Sequence, residues 1–240
     1  MHRALWTCAA EALLETLYPP VCLLCGAPGQ AGMDLCPDCA RELPVPQAAC
    51  RCCARPLPAN AGPVCGACLR RPPAFDTARA ALLYQWPVDA WIARFKFRGR
   101  LNHGRLLSRL MAQHLIPDAE PPDCILPVPL HRRRLAQRGF NQAAELARPL
   151  ARALEVPLVP DAVRRIRATP PQQTLSAARR RRNLRGAFTV REGFTARHVL
   201  LVDDVMTTGS TLDALARRLK SAGVARVEVW VVARVAEDTP

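Results

Sequence analysis

With 240 residues, half of them hydrophobic and 22% charged, the chain can bury one or two cores and is not disordered as a whole. No apolar run approaches the roughly 18 residues of a membrane-spanning helix, so we expect no membrane span. The net charge is +14 and is local, because residues 131–186 hold 14 arginines against three acids. Such a basic stretch suits phosphate groups or nucleic acid. Aromatic residues, at 5%, are too few for a base-stacking surface.

The N-terminal residues 1–20 are predicted to form a short amphipathic helix. Apolar side chains share one face over residues 4–18, and a proline pair then stops the helix. Glu11 and Glu15 interrupt the apolar stretch, so a signal peptide is not expected and the cytoplasm is the expected location.

Residues 21–70 form a cysteine-rich segment with little periodicity. The chain has eleven cysteines. Eight of them form four C-x-x-C pairs: Cys22/Cys25, Cys36/Cys39, Cys50/Cys53 and Cys65/Cys68. Two such pairs complete a tetrahedral four-cysteine zinc site without an open position for catalysis. The spacing of the pairs predicts two structural zinc ribbons in sequence and about two zinc ions, with cross-braced pairing left open.

Two other interpretations of the cysteines are weaker. A disulfide scaffold needs an oxidising compartment, and a redox C-x-x-C does not need four copies. Cys52 lies inside the third pair and competes with its neighbours as a ligand. Cys8 and Cys124 are expected to be small buried apolar residues.

After a predicted linker at 71–76, residues 78–240 have the pattern of an α/β domain. Apolar strands alternate with helices, which indicates a parallel sheet with helices on both faces. Asn141 is the expected N-cap of one of these helices. Strands are predicted at 79–84, 124–130, 198–205 and 227–235, and helices at 88–97, 105–115, 141–153 and 210–221.

The segment VLLVDDVMTTGST, residues 199–211, combines an apolar strand, two acids, a glycine and several hydroxyl side chains. Open α/β sheets bind ligands where strands end. Gly209 permits close backbone approach, and the amides at the start of the next helix form an anion site. Because Asp203 and Asp204 would repel a phosphate, they require hydroxyl groups or a divalent metal. A sugar phosphate satisfies both halves of the segment.

This segment closely resembles the signature of type I phosphoribosyltransferases for 5-phosphoribosyl 1-pyrophosphate (PRPP). The resemblance implies that Asp203 and Asp204 are catalytic residues that contact the ribose hydroxyls, and that Mg²⁺ accompanies PRPP. It also implies that the 5′-phosphate is held by Thr207, Thr208, Gly209, Ser210 and Thr211.

Two further blocks, residues 127–147 and 169–188, resemble those of ComF-family proteins, which join a zinc module to a phosphoribosyltransferase-like domain and are associated with DNA uptake. The resemblance implies a pyrophosphate loop at Val128, followed by a run of arginines whose planar guanidinium groups suit phosphate oxygens. We count Val128, Arg132, Arg138 and Lys96 as PRPP-binding candidates. A mobile loop over PRPP would contain Gln172, Arg180 and Asn183.

Three functions remain open at this point. The first is a Mg²⁺-dependent enzyme that transfers the phosphoribosyl group of PRPP to an unknown acceptor. The second is a PRPP- or nucleotide-sensing protein without turnover that is associated with single-stranded DNA. The third is an assembly role, in which the zinc module docks a helicase or translocase of DNA uptake.

Overall fold

The computed structural model describes residues 18–117, 119–167 and 186–236. Nearly all of the predicted N-terminal helix lies outside the described residues, as do Gln172, Arg180 and Asn183 of the predicted mobile loop. Within the described ranges, no helix has the length and apolar character needed to cross a bilayer.

The cysteine-rich segment folds around short knuckles with little regular structure. Helix α1 (Pro37–Arg41) follows Cys36, and helix α2 (Gly66–Arg70) follows Cys65. The Cys36 sulfur accepts a hydrogen bond from the Cys39 amide at 3.5 Å and so caps α1. Each short helix therefore starts at the third cysteine of one group of four.

The described residues form six strands. Four build a parallel sheet in the order β1-β6-β5-β2, and two build a small antiparallel pair, β3-β4. The strands are β1 (Thr77–Leu83), β2 (Cys124–Pro127), β3 (Val163–Arg165), β4 (Phe188–Val190), β5 (His198–Met206) and β6 (Arg226–Arg234).

Helices cover both faces of the parallel sheet. They are α3 (Val88–Arg98), α4 (Leu101–Leu115), α6 (Gln142–Leu154) and α7 (Ser210–Ser221), whereas the short helix α5 (Arg132–Arg138) has no buried residue. Successive side chains of a strand point to opposite faces. Accordingly, Leu200 and Val202 of β5 join the core beneath α3, α4 and α6, whereas Val199 and Leu201 join the core beneath α7. Strand β5 is thus apolar from Val199 to Val202, the four positions before its two acids.

The carboxyl ends of β5 and β2 lie side by side. Pro127 is paired with Val202, and the Val128 amide donates to the Val202 carbonyl at 2.9 Å. The loop that follows β2 is therefore adjacent to the acid pair that follows Val202.

Several local predictions need correction. The strand predicted at 124–130 ends at Pro127, because prolines at 127 and 129 cannot donate to a ladder. The helix predicted at 105–115 starts earlier, at Leu101. The segment 71–76 is not a free linker, since Phe75 is buried and Asp76 binds the Val227 amide through its Oδ2.

Two elements had no sequence signal. Helix α5 has only two apolar side chains, Leu135 and Ala136, which are adjacent, so it shows no amphipathic period. It is instead defined at its ends: the His131 ring accepts from the Arg133 amide, and Gly139 closes the helix with φ +82°. The β3-β4 pair joins strands of three residues each, which are too short for a period-two pattern.

Candidate functional site

The eight paired cysteines form two groups of four, each from consecutive pairs in the chain. Within each group all sulfur atoms lie within 4.8 Å of one another. The Sγ atoms of Cys25 and Cys36 are 3.7 Å apart, as are those of Cys53 and Cys65. Zn–S bonds of about 2.3 Å in a tetrahedron place two sulfurs about 3.8 Å apart. Both groups therefore fit zinc, the pairing is sequential rather than cross-braced, and Cys52 stays outside the second group.

The local backbone favours one thiolate in each group. Burial opposes ionisation of Cys22, but amide hydrogen bonds from Cys25 and Cys36 lower its pKa to about 6. Cys50 is its counterpart in the second group: amide hydrogen bonds outweigh burial and lower its pKa to about 7. Since zinc binds the thiolate form, one ligand of each site is prepared before the metal arrives.

The acid pair lies at the carboxyl end of β5, next to α3. Lys96, near the end of α3, places its Nζ 2.8 Å from Asp204 Oδ2. Only 4% of the Asp204 side chain is exposed, compared with 20% of Lys96. Asp204 Oδ1 accepts from the Val205 amide at 2.7 Å, whereas the buried Oδ2 has no hydrogen-bond partner beyond this ion pair. Asp204 thus keeps one oxygen, Oδ2, that accepts no hydrogen bond from the backbone.

The neighbouring Asp203 carries a perturbed carboxyl group. Burial, followed by the neighbouring Asp204, raises its pKa to about 8, although Lys96 opposes the shift. Its Oδ1 accepts from the Asp204 amide at 2.9 Å. Two adjacent carboxyl groups in a partly buried site favour a cation or hydroxyl donors as ligands.

These acids line a cleft of about 610 Å³ that is otherwise basic and polar. Arg138 stands at its wall, with Nη1 donating to Gln142 Oε1 at 2.5 Å and the guanidinium 5.5 Å from the centre of the Phe97 ring. Its lining also includes Lys96, Val128, Arg134, Arg165, Thr207 and Thr211. The cleft therefore brings two carboxyl groups, three arginines and a lysine together from four separate parts of the chain.

The loop 207–211 leads from the acids to α7. Gly209 is the N-cap of α7. Its φ of +73° is a left-handed backbone conformation that residues with a Cβ seldom adopt. The hydroxyls of Thr208 and Ser210 are hydrogen-bonded at 2.8 Å. Thr207 and Thr211 line the main cleft, whereas Thr208, Gly209 and Ser210 line a second cavity of about 230 Å³ on the side of the second cysteine group. One loop thus forms part of both cavities.

The main cleft brings together five of the nine predicted PRPP-binding residues (Lys96, Val128, Arg138, Thr207 and Thr211), whereas Thr208, Gly209 and Ser210 line the second cavity. Arg132 is exposed on α5 and does not line the cleft, while Arg134 and Arg138, which are four residues apart and share one face of the same helix, do. Sequence reasoning missed Arg165, Phe97 and Gln142. Arg165 lies on β3, whose sequence had no readable pattern. Phe97 follows Lys96 directly in a chain with few aromatic residues, and its side chain is 76% exposed, which is the signal that marks it.

Comparisons with known proteins agree with this architecture. A family model described as a double zinc ribbon domain matches residues 13–69, and one described as a phosphoribosyl transferase domain matches residues 140–240. Among solved structures, adenine phosphoribosyltransferase from Saccharomyces cerevisiae overlaps with a TM-score of 0.31 and 20% identity, covering 58% of this chain and 72% of that one. A TM-score at this level establishes nothing alone; the parallel sheet and the family model carry the fold assignment.

Two curated relatives match over most of their lengths. The DNA utilization protein YhgH of Escherichia coli strain K12 is 37% identical over 222 residues, which are 90% of this chain and 97% of that protein. Competence protein F of Haemophilus influenzae is 39% identical over 179 residues, which are 71% and 78% of the two chains. With a double zinc ribbon, a phosphoribosyltransferase-like sheet and these relatives, the chain belongs to the ComF family of competence and DNA utilization proteins.

Proposed function

We propose that the chain binds PRPP with Mg²⁺ in the main cleft and transfers the phosphoribosyl group to an acceptor. The observation that carries the proposal is the buried carboxylate pair facing a cleft lined by arginines and by the start of α7. Asp204 Oδ2 has no partner in the protein beyond its ion pair with Lys96, and the pKa of Asp203 is raised. PRPP offers such a site ribose hydroxyls for the acids and phosphate groups for the arginines.

Different side chains of the cleft contact different groups of the ligand. Asp203 and Asp204 accept hydrogen bonds from the two ribose hydroxyls and orient the sugar. Thr207 and Thr211 face the 5′-phosphate from the loop that starts α7. Arg134, Arg138 and Lys96 lie on the side where pyrophosphate is bound, next to Val128. Arginine grips phosphate oxygens with two parallel bonds, which also fixes the direction of the leaving group.

The reaction is a displacement at the anomeric carbon. The acceptor's lone pair forms a bond to that carbon, the bond to pyrophosphate breaks, and pyrophosphate leaves with the bonding electrons. The acceptor's proton passes to solvent. Positive charge develops on the sugar in the transition state, and the buried carboxylates stabilise it electrostatically. Mg²⁺, when bound, would neutralise part of the pyrophosphate charge, and the oxygens that would hold it on the protein side belong to Asp203 and Asp204.

Calorimetry with PRPP and MgCl₂ tests the binding step. The double change Asp203→Asn, Asp204→Asn should weaken PRPP at least tenfold, because each charge-assisted hydrogen bond contributes roughly 1.5–3 kcal/mol and about 1.4 kcal/mol is tenfold. Asp161→Asn is the matched control, since this aspartate is exposed on a short 3₁₀ helix and does not line the cleft. Unchanged PRPP affinity in the double variant, or no binding by the wild type, contradicts the proposal.

Turnover is tested separately, by pyrophosphate release from PRPP against a panel of bases, amines and single-stranded DNA. Release that depends on one member of the panel identifies the acceptor class. If PRPP binds but no member of the panel supports release, the chain is a sensor, which is the second candidate function.

A role in handling DNA is favoured by a separate observation. The relatives are named for DNA utilization and competence, and Arg132 and Arg133 are exposed on α5 beside, rather than inside, the cleft. Exposed arginines at the rim suit a nucleic-acid backbone. We therefore propose that DNA contacts the outer face of α5 while PRPP occupies the cleft.

A further inference from the structure

A buried arginine connects the second cysteine group with the loop that starts α7. Arg234, the last residue of β6, is only 2% exposed. Its Nε donates to the Cys53 carbonyl at 2.9 Å, and its Nη1 donates to the Thr207 carbonyl at 2.5 Å and the Met206 carbonyl at 3.1 Å. One planar guanidinium therefore spans a cysteine knuckle and the beginning of the candidate phosphate loop.

Apolar packing provides a second connection between the same two parts. Ala54 follows Cys53, has φ 54° and is 1% exposed, in one cluster with Phe75 and Met206. On the other side of that cluster is Gly209: a methyl group added there would lie 3.5 Å from Met206 Sδ and 3.9 Å from Phe75 Cζ. The knuckle and the loop thus border the same apolar cluster.

The first cysteine group lacks this arrangement at the equivalent position. Gly26 follows Cys25 as Ala54 follows Cys53, and it also has positive φ, +80°. A methyl group added to Gly26 would meet nothing within 4 Å. The left-handed backbone disfavours alanine relative to glycine. Ala54 therefore occupies a strained position where its methyl group is packed, which indicates that the Cys50/Cys53 knuckle is docked at this point, whereas the Cys22/Cys25 knuckle is not docked at Gly26.

We propose that Arg234 is a positioning residue through which the second metal site fixes the loop 207–211, so that metal occupancy at this site sets the affinity for PRPP. The inference rests on the proposed function, because it concerns the same loop. Four sulfurs on one ion hold the Cys53 backbone in place. If the knuckle relaxes by about 1 Å, the 2.9 Å bond from Arg234 leaves hydrogen-bond range. Because the guanidinium is rigid, its contacts with the loop then shift as well.

The first arm of the test changes the arginine. Arg234→Lys keeps the charge but cannot span both carbonyl groups, and Arg234→Met removes every donor. We expect PRPP affinity to fall about fivefold or more for Lys, since one lost hydrogen bond has about that effect, and further for Met. Both variants should retain two zinc ions. Arg105→Lys is the matched control, because Arg105 joins the first cysteine module to α4 through Asp34 at 2.7 Å.

The second arm changes the metal site and measures the loop directly. Cys68→Ser should lose one zinc ion, weaken PRPP to a similar extent and raise amide hydrogen exchange at 206–211. Exchange in the centre of β5 should stay at the wild-type rate, which separates local loosening from general destabilisation. If either variant fails to fold, chelation of zinc from the wild type, followed by exchange at 206–211, provides the same reading.

The outcomes separate the two proposals. If the wild type does not bind PRPP, the proposed function fails, while exchange at 206–211 still tests the connection. If the wild type binds PRPP but Arg234→Lys and Cys68→Ser match it in affinity and in exchange, the connection through Arg234 is wrong and PRPP binding stands.

Discussion

Replacing Lys96 by methionine tests whether the acid pair depends on its ion pair for stability. Methionine keeps the apolar part of the side chain and removes the charge. The change leaves Asp204 as a buried carboxylate, with only the Val205 amide as a hydrogen-bond donor. Asp203 lies next to it and adds a second charge or a second buried carboxyl group.

The expected cost follows from the burial of the two partners. Removing one member of a fully buried pair costs about 3–5 kcal/mol, whereas an exposed pair contributes about 0–1 kcal/mol. Asp204 is near the buried limit, but Lys96 is 20% exposed, so water partly replaces the ammonium. We expect a loss of about 2 kcal/mol, which for a protein of this size lowers Tm by about 4–8 °C.

Thermal unfolding of zinc-loaded protein measures the effect. Lys220→Met is the matched control: its partner Asp76 is 43% exposed, so a loss of at most about 1 kcal/mol is expected. Adding Asp204→Asn to Lys96→Met should recover at least half of the lost stability, because asparagine keeps the oxygen for Val205 and removes the unpaired charge. A Tm of Lys96→Met within 1 °C of the wild type, or simple additivity in the double variant, would refute the reasoning.

Four further predictions concern metal, protons and DNA. Elemental analysis should find about two zinc ions per chain; absence of zinc, with the thiols oxidised in pairs, would exclude the ribbons. Because the pKa of Asp203 is raised to about 8, PRPP binding that requires its carboxylate should release up to one proton at pH 6–7 and strengthen as pH rises toward 8, as measured by calorimetry in buffers of different ionisation enthalpy; no buffer dependence would contradict this. The same raised pKa means that, between about pH 4 and pH 8, Asp203 keeps its proton in the folded protein but is already ionised in the unfolded chain. The stability of the folded protein therefore decreases as the pH rises through this range, and Asp203→Asn should flatten that fall in Tm. Changing Arg132 and Arg133 to Gln should reduce the salt dependence of single-stranded DNA binding by about 0.7 per lost phosphate contact, and an unchanged slope would remove DNA from this face of α5.

The sequence was most informative where chemistry demands a fixed spacing. Four C-x-x-C pairs predicted two zinc sites, and the structure assembles both groups of sulfurs. An uninterrupted apolar strand predicted a sheet covered on both faces, and β5 buries alternate residues in two cores. These predictions are confirmed because local pattern and tertiary packing obey the same constraint.

Other features depend on contacts that no local pattern encodes. Arg165 reaches the cleft on a strand of three residues that pairs across more than twenty residues of chain. The ion pair of Lys96 with Asp204 joins positions more than a hundred residues apart. Arg234 is the last residue of an apolar strand, and a single arginine at that point forms no sequence pattern. Its role follows only from its contact with the cysteine knuckle in the folded structure.

The near absence of lysine has a practical consequence for chemistry on this protein. Lys96 and Lys220 are the only lysines in the chain, and each forms an ion pair with an aspartate, Asp204 and Asp76 respectively. An amine-selective reagent therefore has two side-chain targets, of which one lies in the cleft and the other on the far end of α7. Mass spectrometry of the modified peptides would report occupancy of the cleft through Lys96, with Lys220 as the internal standard on the same molecule. Arginine, which occupies nearly every other basic position, does not react with such a reagent. The native protein can therefore be modified site-selectively.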